Sequence, residues 1–506
     1  MTELMTDPAA IDRLREALSK AQYTVDGCLE ALGPTAYSAL SRNESVAASR
    51  AVASDDSPIA TLIKLFVLQE EVEPGAVAHA LPIEDAIDGG LVALDGSDSK
   101  ARALVDIRPY GESDADWWLV SDLGAGLVTG RSVSMKPDYV LGVGGASTTL
   151  AQLAVREPVE RALDLGTGCG VQALHLSRHA EQIVATDVNP RALRFARLTA
   201  ALSLGERHET IDLRSGSLFE PVADERFDLV VSNPPFVVSP ESADGSGRFT
   251  YRDSGLPGDE LCRRLVEQAP TRLAEDGWCQ ILANWLHEEG TDWRERVAGW
   301  VRGTGCDAWV VQREVQDPAE YAELWLRDSG DYGTPQYVGR YQAYLDYFEA
   351  NRIEAIGFGW ITLRATGAQI PTLRLEELTG HVDQPLGALV PGWFDRQAFL
   401  RDTSDEQLLA AALRPADGLV LEQRAQPAED GWSPLTTKFR QTTGLYRSGD
   451  TDPVGVALLG ALDGTRPLGD VFAQIAEKYG LSGAVLREGG VDTVRSLLEE
   501  GFLTVP

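Results

Sequence analysis

The chain has 506 residues, with 45 Lys and Arg against 77 Asp and Glu, and a formal net charge of −32 at pH 7. A broad basic face for bulk nucleic acid is thereby disfavoured, because such binding draws its affinity from Lys and Arg neutralising phosphates. The length implies two to four domains, the absence of an 18-residue apolar run or of a leader at Met1 argues against a membrane span or secretion and for a cytoplasmic location, and the five scattered cysteines (Cys28, Cys169, Cys262, Cys279, Cys306) fit reduced thiols rather than disulfides or zinc.

Residues 8 to 40 read as two helices from their apolar spacing (Ile11, Leu14, Leu18; Val25, Leu29, Leu32), and 43 to 58 as a polar connection. An amphipathic helix is expected over Ile59 to Leu68, then short helices at 75–80 and 83–90 and apolar alternation over 91–107. This is the outline of a winged helix. Residues 71 to 107 carry eight acidic side chains and only Lys100 and Arg102 as basic ones, so residues 1–120 are read as a helical, winged-helix-like module that faces protein or forms a lid, not as a DNA reader.

The next stretch carries the chemistry. An apolar strand runs into Asp164-Leu165-Gly166-Thr167-Gly168-Cys169-Gly170, a helix follows, and a second apolar strand ends at Asp187-Val188. Glycines at 166, 168 and 170 permit a tight turn and close approach of backbone N–H groups to a ligand, and an acid about 20 residues on suits ribose hydroxyls, so a nucleoside-bearing cofactor is implied. Farther along, the buried strand FDLVVS ends in Asn233-Pro234-Pro235-Phe236. Two prolines fix φ and remove two donors, which leaves a rigid segment whose carbonyls act as acceptors.

The Gly-rich turn, Asp187 and the Asn-Pro-Pro-Phe tetrapeptide together resemble the class I S-adenosylmethionine-dependent N-methyltransferases. Within that class the chain is most similar to the small-domain branch of release-factor glutamine and ribosomal RNA guanine methyltransferases. The resemblance spans roughly residues 131 to 370 and implies an α/β, Rossmann-like seven-stranded core and S-adenosyl-L-methionine as cofactor. It also implies that Asp164, Gly166, Thr167, Gly168, Gly170, Asp187, Val188, Ser217, Leu218 and Asn233 hold that cofactor, Ser217 standing where the family usually has an acid. In the reaction, Asn233 Oδ1 and the carbonyl of Pro234 would accept the two hydrogens of a planar NH2 group, with Pro235 keeping the turn rigid and Phe236 stacking on the flat target. Thr148 or Thr149, in the segment from Tyr139, would touch the cofactor's carboxylate or cap the next helix, and the segment Arg252-Asp253-Ser254-Gly255 through Glu260 would form part of the acceptor pocket.

Core strands are expected near 162–165, 183–187, 211–214, 228–232, 278–284, 308–312 and 356–363, with a polar insertion from Asp317 to Glu354 whose Tyr-rich helix (Tyr337, Tyr341, Tyr344, Tyr347, Phe348) reads as packed on the core. His175 and His179 lack a third ligand, so no metal is expected. Arg156, Arg161, Arg178, Arg191, Arg194 and Arg197 read as a solvated face rather than a phosphate patch. From 373 to 506 the spacing suggests a helical or winged C-terminal module, with helices at 395–412, 454–462, 468–479 and 491–500 and a last strand over Phe502 to Val505. The acceptor stays open between a protein or peptide glutamine, favoured by charge, a guanine or adenine base of RNA or DNA, and a small molecule. A cofactor-binding scaffold is the reading from outside enzymology, and the intact Asp164, Asp187 and Asn233 speak against it.

Overall fold

The computed structural model describes residues 4–94, 100–112, 115–124, 136–240, 249–429 and 431–504; residues 95–99 of the expected alternation and Val505 of the expected last strand lie outside them. The chain divides into two compact units, 1–151 with 157–305 and 314–367, and 152–156 with 306–313 and 368–506.

In the first unit a sheet runs in the order β6-β5-β4-β1-β2-β3, built from β1 (Val159–Leu165), β2 (Ala180–Asp187), β3 (Ile211–Ser215), β4 (Phe227–Ser232), β5 (Leu273–Glu288) and β6 (Ile353–Arg364). All neighbours are parallel except β6, which runs antiparallel to β5. Ala162 to Leu165 of β1 and Leu229 to Ser232 of β4 are wholly buried, as strands covered on both faces by helices require. The strand order reverses between β1 and β4, so a crevice opens beyond their carboxyl ends. Both sequence motifs sit at that point. Around it lie α1 (Gly145–Leu153), α2 (Val171–Leu176), α3 (Pro190–Leu204) and α4 (Glu260–Gln268). All seven strands expected from the sequence occur, the one at 308–312 as Asp307–Gln316.

The N-terminal residues share one hydrophobic core with α2 and α3: Leu14, Leu18, Phe66 and Trp118 belong to the same buried cluster as Leu174, Phe195 and Leu198. Helices at Pro8–Lys20, Val25–Leu40, Pro74–Ala80 and Ile83–Asp88 and the pair Val92–Leu94 with Ala101–Ala103 follow the expected order. Two readings need correction. The connection at 43–58 contains a helix, Val46–Val52. The segment expected to be an amphipathic helix is instead a short α-turn, Pro58–Leu62, running into a π-helical turn, Ile63–Val67, with Ala60, Leu62, Ile63, Leu65 and Phe66 all fully buried and Lys64 alone bringing a charge, its Nζ donating to the Asp55 carbonyl at 2.8 Å. A hairpin not anticipated, Asp106–Glu112 with Ala115–Ser121, exposes an edge that α3 closes. The N–H groups of Trp118 and Val120 donate to the hydroxyls of Ser203 and Thr199 at 3.0 Å each, which satisfies backbone donors that would otherwise be buried without partners.

The polar insertion forms helices Pro318–Asp328 and Tyr337–Ala350. Tyr344 and Phe348 are buried in a cluster with Tyr321 and Ile356, as their spacing suggests. In the second unit, Asp307–Gln316 pairs in parallel with Leu373–Glu377, and a core around Leu408, Phe439, Leu458, Phe472, Val494 and Leu503 gathers the C-terminal helices. The single helix expected at 395–412 is two, Val390–Asp402 and Asp405–Ala410, separated by a capping box in which Ser404 and Gln407 satisfy each other's backbone donors. Between them and the last helices stands a three-stranded sheet, Leu419–Ala428, Gly431–Gln441 and Ser448–Asp450, which the sequence reading missed.

Candidate active site

The turn after β1 is set by three left-handed glycines, Gly166 (φ +79°), Gly168 (φ +56°) and Gly170 (φ +88°), each a conformation that costs an L-residue about 1–2 kcal/mol. Their surroundings differ. A Cβ on Gly166 or Gly168 would meet nothing within 4 Å, whereas one on Gly170 would lie 3.1 Å from the Cα of Ala196. The first two therefore border open space, and the third lets α2 pack closely on α3.

Asp164 and Asp187 hold this turn from either side. Asp164 is fully buried; its Oδ2 accepts the Thr167 hydroxyl at 2.6 Å and the Ala173 N–H at 3.1 Å, while Oδ1 has no partner. Burial pushes its carboxyl up to about 7 against the pull of those two hydrogen bonds. The Asp187 carboxylate accepts from Gly168 N at 2.9 Å through Oδ2 and from Asn189 N at 2.8 Å through Oδ1. Burial raises its pKa, and the backbone donors partly offset that rise.

On the other side of the switch point, β4 delivers Asn233. The preceding Ser232 donates to the Leu165 carbonyl at 2.8 Å, which ties the tetrapeptide to the glycine turn. Asn233 Nδ2 donates to Ser147 Oγ at 3.3 Å, and Oδ1 is left as an acceptor. The Pro234 carbonyl takes the Phe236 N–H at 2.8 Å, so one of its two lone pairs serves the turn itself. Phe236 then bridges Asp253 in antiparallel fashion, and Val237 N donates to the Arg252 carbonyl at 3.0 Å. The Tyr321 hydroxyl fixes the next residues, accepting from Val238 N at 2.8 Å and from Asn284 Nδ2 at 3.0 Å.

A cavity of about 390 Å³ joins the two motifs. Of the residues expected to bind, Gly166, Thr167, Gly168, Asp187, Val188, Ser217, Leu218, Asn233, Pro234 and Pro235 line it. Asp164, Gly170 and Phe236 do not. Asp164 lies beneath the turn and Gly170 against α3, while the Phe236 ring turns edge-on to Trp325, with centroids 6.4 Å apart, because its bridge to Asp253 faces it into the insertion helices. Neither Thr148 nor Thr149 reaches the cavity; Thr148 donates to the Gly144 carbonyl at 3.3 Å, and Ser147 lines the wall in their place. Tyr139, Gln172, Tyr251, Leu256 and Arg264 also line it. Of these, Gln172 and Arg264 had no signal in the local sequence, since each reaches the cavity through the placement of its helix. In the arginine group, Arg161 pairs with Glu225 at 2.5 Å and Arg191 pairs with Asp122, which consumes two of the six charges considered for a phosphate patch.

Comparison with known proteins agrees with this geometry. The methyltransferase small domain family matches residues 143–290, and two families described only as domains of unknown function match 20–104 and 391–505. A release factor glutamine methyltransferase of Geobacter sulfurreducens is 35% identical over 179 residues, covering 32% of this chain and 58% of that protein. A ribosomal protein uL3 glutamine methyltransferase of Bradyrhizobium diazoefficiens is 34% identical over 135 residues, 24% of this chain and 41% of that protein. The chain thus spans less than two thirds of the length of each of these two. A release factor glutamine methyltransferase of Xylella fastidiosa (strain Temecula1) is 33% identical over 253 residues, which cover 45% of this chain and 86% of that protein. With the glycine turn, Asp187 and Asn233-Pro234-Pro235 opening on one cavity, the chain belongs to the class I S-adenosylmethionine-dependent N-methyltransferases of the small-domain branch.

Proposed function

We propose that this protein transfers a methyl group from S-adenosylmethionine to the side-chain amide nitrogen of a glutamine in a protein acceptor, in the cytoplasm. The observation that carries the reading is the single cavity shared by the glycine turn and Asn233-Pro234-Pro235. The cofactor fits the first half: Gly166 and Gly168 leave a cradle that any Cβ would fill, and both border the cavity. Gly166, Thr167, Gly168, Asp187, Val188, Ser217 and Leu218 would hold it, with Asp164 and Gly170 shaping the turn from behind. When bound, S-adenosylmethionine supplies a sulfonium methyl that needs no acid to depart.

The chain's own residues then have a positioning task. Asn233 Oδ1 and the remaining lone pair of the Pro234 carbonyl accept the amide N–H bonds, which orients the nitrogen and stabilises the positive charge that grows on it. Pro235 keeps the turn rigid. Phe236 braces the turn against Trp325 rather than stacking on the acceptor. A protein acceptor is supported by the names of the relatives and by the charge of −32, which opposes clamping of phosphates. No helix among the described residues is long and apolar enough to cross a membrane. We assign residues 131–370 to methyl transfer, and 1–120 and 373–506 to modules that shape or select the acceptor. Incubating the protein with methyl-labelled cofactor and a cell lysate tests the reading: label is expected in the protein fraction, and label confined to RNA would replace it with base methylation.

A further inference from the structure

Along with Asn233, Pro234 and Pro235, the cavity is lined by Leu256, Leu261 and Leu265. Thr250, Asp253 and Ser254 line it too, and one side chain is cationic. Arg264 is the only cationic residue lining the cavity among the described residues. It stands on α4 three residues after Leu261 and one before Leu265, so all three share the face turned to the cavity. Its Nε donates to Glu260 Oε1 at 2.7 Å, and neither Nη atom has a protein partner among the described residues. The side chain is 43% exposed. Its neighbour Arg263 is similarly exposed, but it lies outside the cavity lining, and its nitrogens are taken by Glu260 and Glu267 at 2.7–2.9 Å.

We propose that Arg264 selects the acceptor, using its two free Nη groups to hold a carboxylate placed close to the methylated nitrogen; this rests on the glutamine reading above. A planar guanidinium whose Nε is already anchored presents its end as a two-donor fork matched to a carboxylate. In a chain of charge −32 an acidic segment gains nothing from the bulk field, so the preference is local to this fork. The acceptor is then a glutamine with an Asp, a Glu or a chain-terminal carboxylate nearby.

The test uses the full chain and two synthetic peptides, each with one glutamine, one carrying an adjacent Asp and the other Asn in its place. We expect kcat/KM to favour the Asp peptide about tenfold, mostly through KM, as loss of one charged hydrogen-bonding partner predicts. Arg264→Gln should bring that ratio to within about twofold of one, and Arg263→Gln should leave the ratio as it is. Equal use of the two peptides by the native protein, or a ratio that survives Arg264→Gln, overturns the inference and leaves the glutamine reading standing. Methylation of neither peptide overturns both. A drop of more than about tenfold in affinity for S-adenosylhomocysteine in Arg264→Gln, read by calorimetry, also overturns it, since the cation would then serve the cofactor.

Discussion

The two halves of the cavity are built by different means. On the glycine side the wall is largely backbone: left-handed turns at Gly166 and Gly168, fixed by the carboxylates of Asp164 and Asp187 through bonds to N–H and hydroxyl groups. On the acceptor side the wall is side chains, with Asn233 held by Ser147, and the Arg252-Asp253-Ser254 segment tied back by the Phe236 bridge and by Arg252 Nη1, which donates to the Trp325 carbonyl at 2.9 Å. A backbone wall serves a ligand that never changes. A wall of side chains from the segment after the tetrapeptide and from α4 can be altered without disturbing the turn, and we place the choice of acceptor there.

If this division is right, mutations should separate cleanly. Asn233→Ala should lower methyl transfer about a hundred- to a thousandfold, since it removes an acceptor aimed at the reacting nitrogen, while calorimetry with S-adenosylhomocysteine shows little change in affinity. Gly170→Ala should act on the fold instead. It places a Cβ 3.1 Å from Ala196 in a left-handed conformation, and chemical denaturation should register a loss of about 2–3 kcal/mol. Asp187→Ala removes the acceptor of Gly168 N and Asn189 N, and cofactor affinity should fall about ten- to a hundredfold; unchanged affinity would detach the glycine turn from cofactor binding.

The smallest effect comes from Asp164. Its folded pKa of about 7 lies above the ordinary 3.8, so the folded state holds a proton that the unfolded state has released. That contribution to stability is complete below the ordinary value and is lost as pH rises through 7. Between pH 6 and pH 8 the native protein should lose on the order of 1 kcal/mol that Asp164→Asn does not lose. Parallel denaturation curves at the two pH values compare them, and an equal pH dependence in both proteins would show that Asp164 is ionised throughout.

Local chemistry was legible in the sequence and assembly was not. The glycine turn, Asp187 and the tetrapeptide are short segments whose geometry is fixed by φ limits and missing donors, so their place at the ends of β1, β2 and β4 could be read directly. Arg264 and Gln172 enter the cavity only because α4 and α2 are packed where they are, and no spacing announces that. Phe236 was misplaced for the same reason, since its partner Trp325 is 89 residues away in an insertion. The strands Leu419–Ala428 and Gly431–Gln441 carry Pro427 and Pro434 within their exposed paired length, where proline is tolerated but weakens the strand signal.

The central claim, that the cavity delivers a methyl group to a glutamine nitrogen, is tested most directly by locating the methyl. The native protein, incubated with S-adenosylmethionine and a peptide containing one glutamine beside an aspartate, should yield a product whose tandem mass spectrum places the added methyl on the glutamine side-chain nitrogen, with a yield from Asn233→Ala lower by about a hundredfold or more under the same conditions. Methyl found on any other atom of the peptide, or the same yield from Asn233→Ala, would contradict the account.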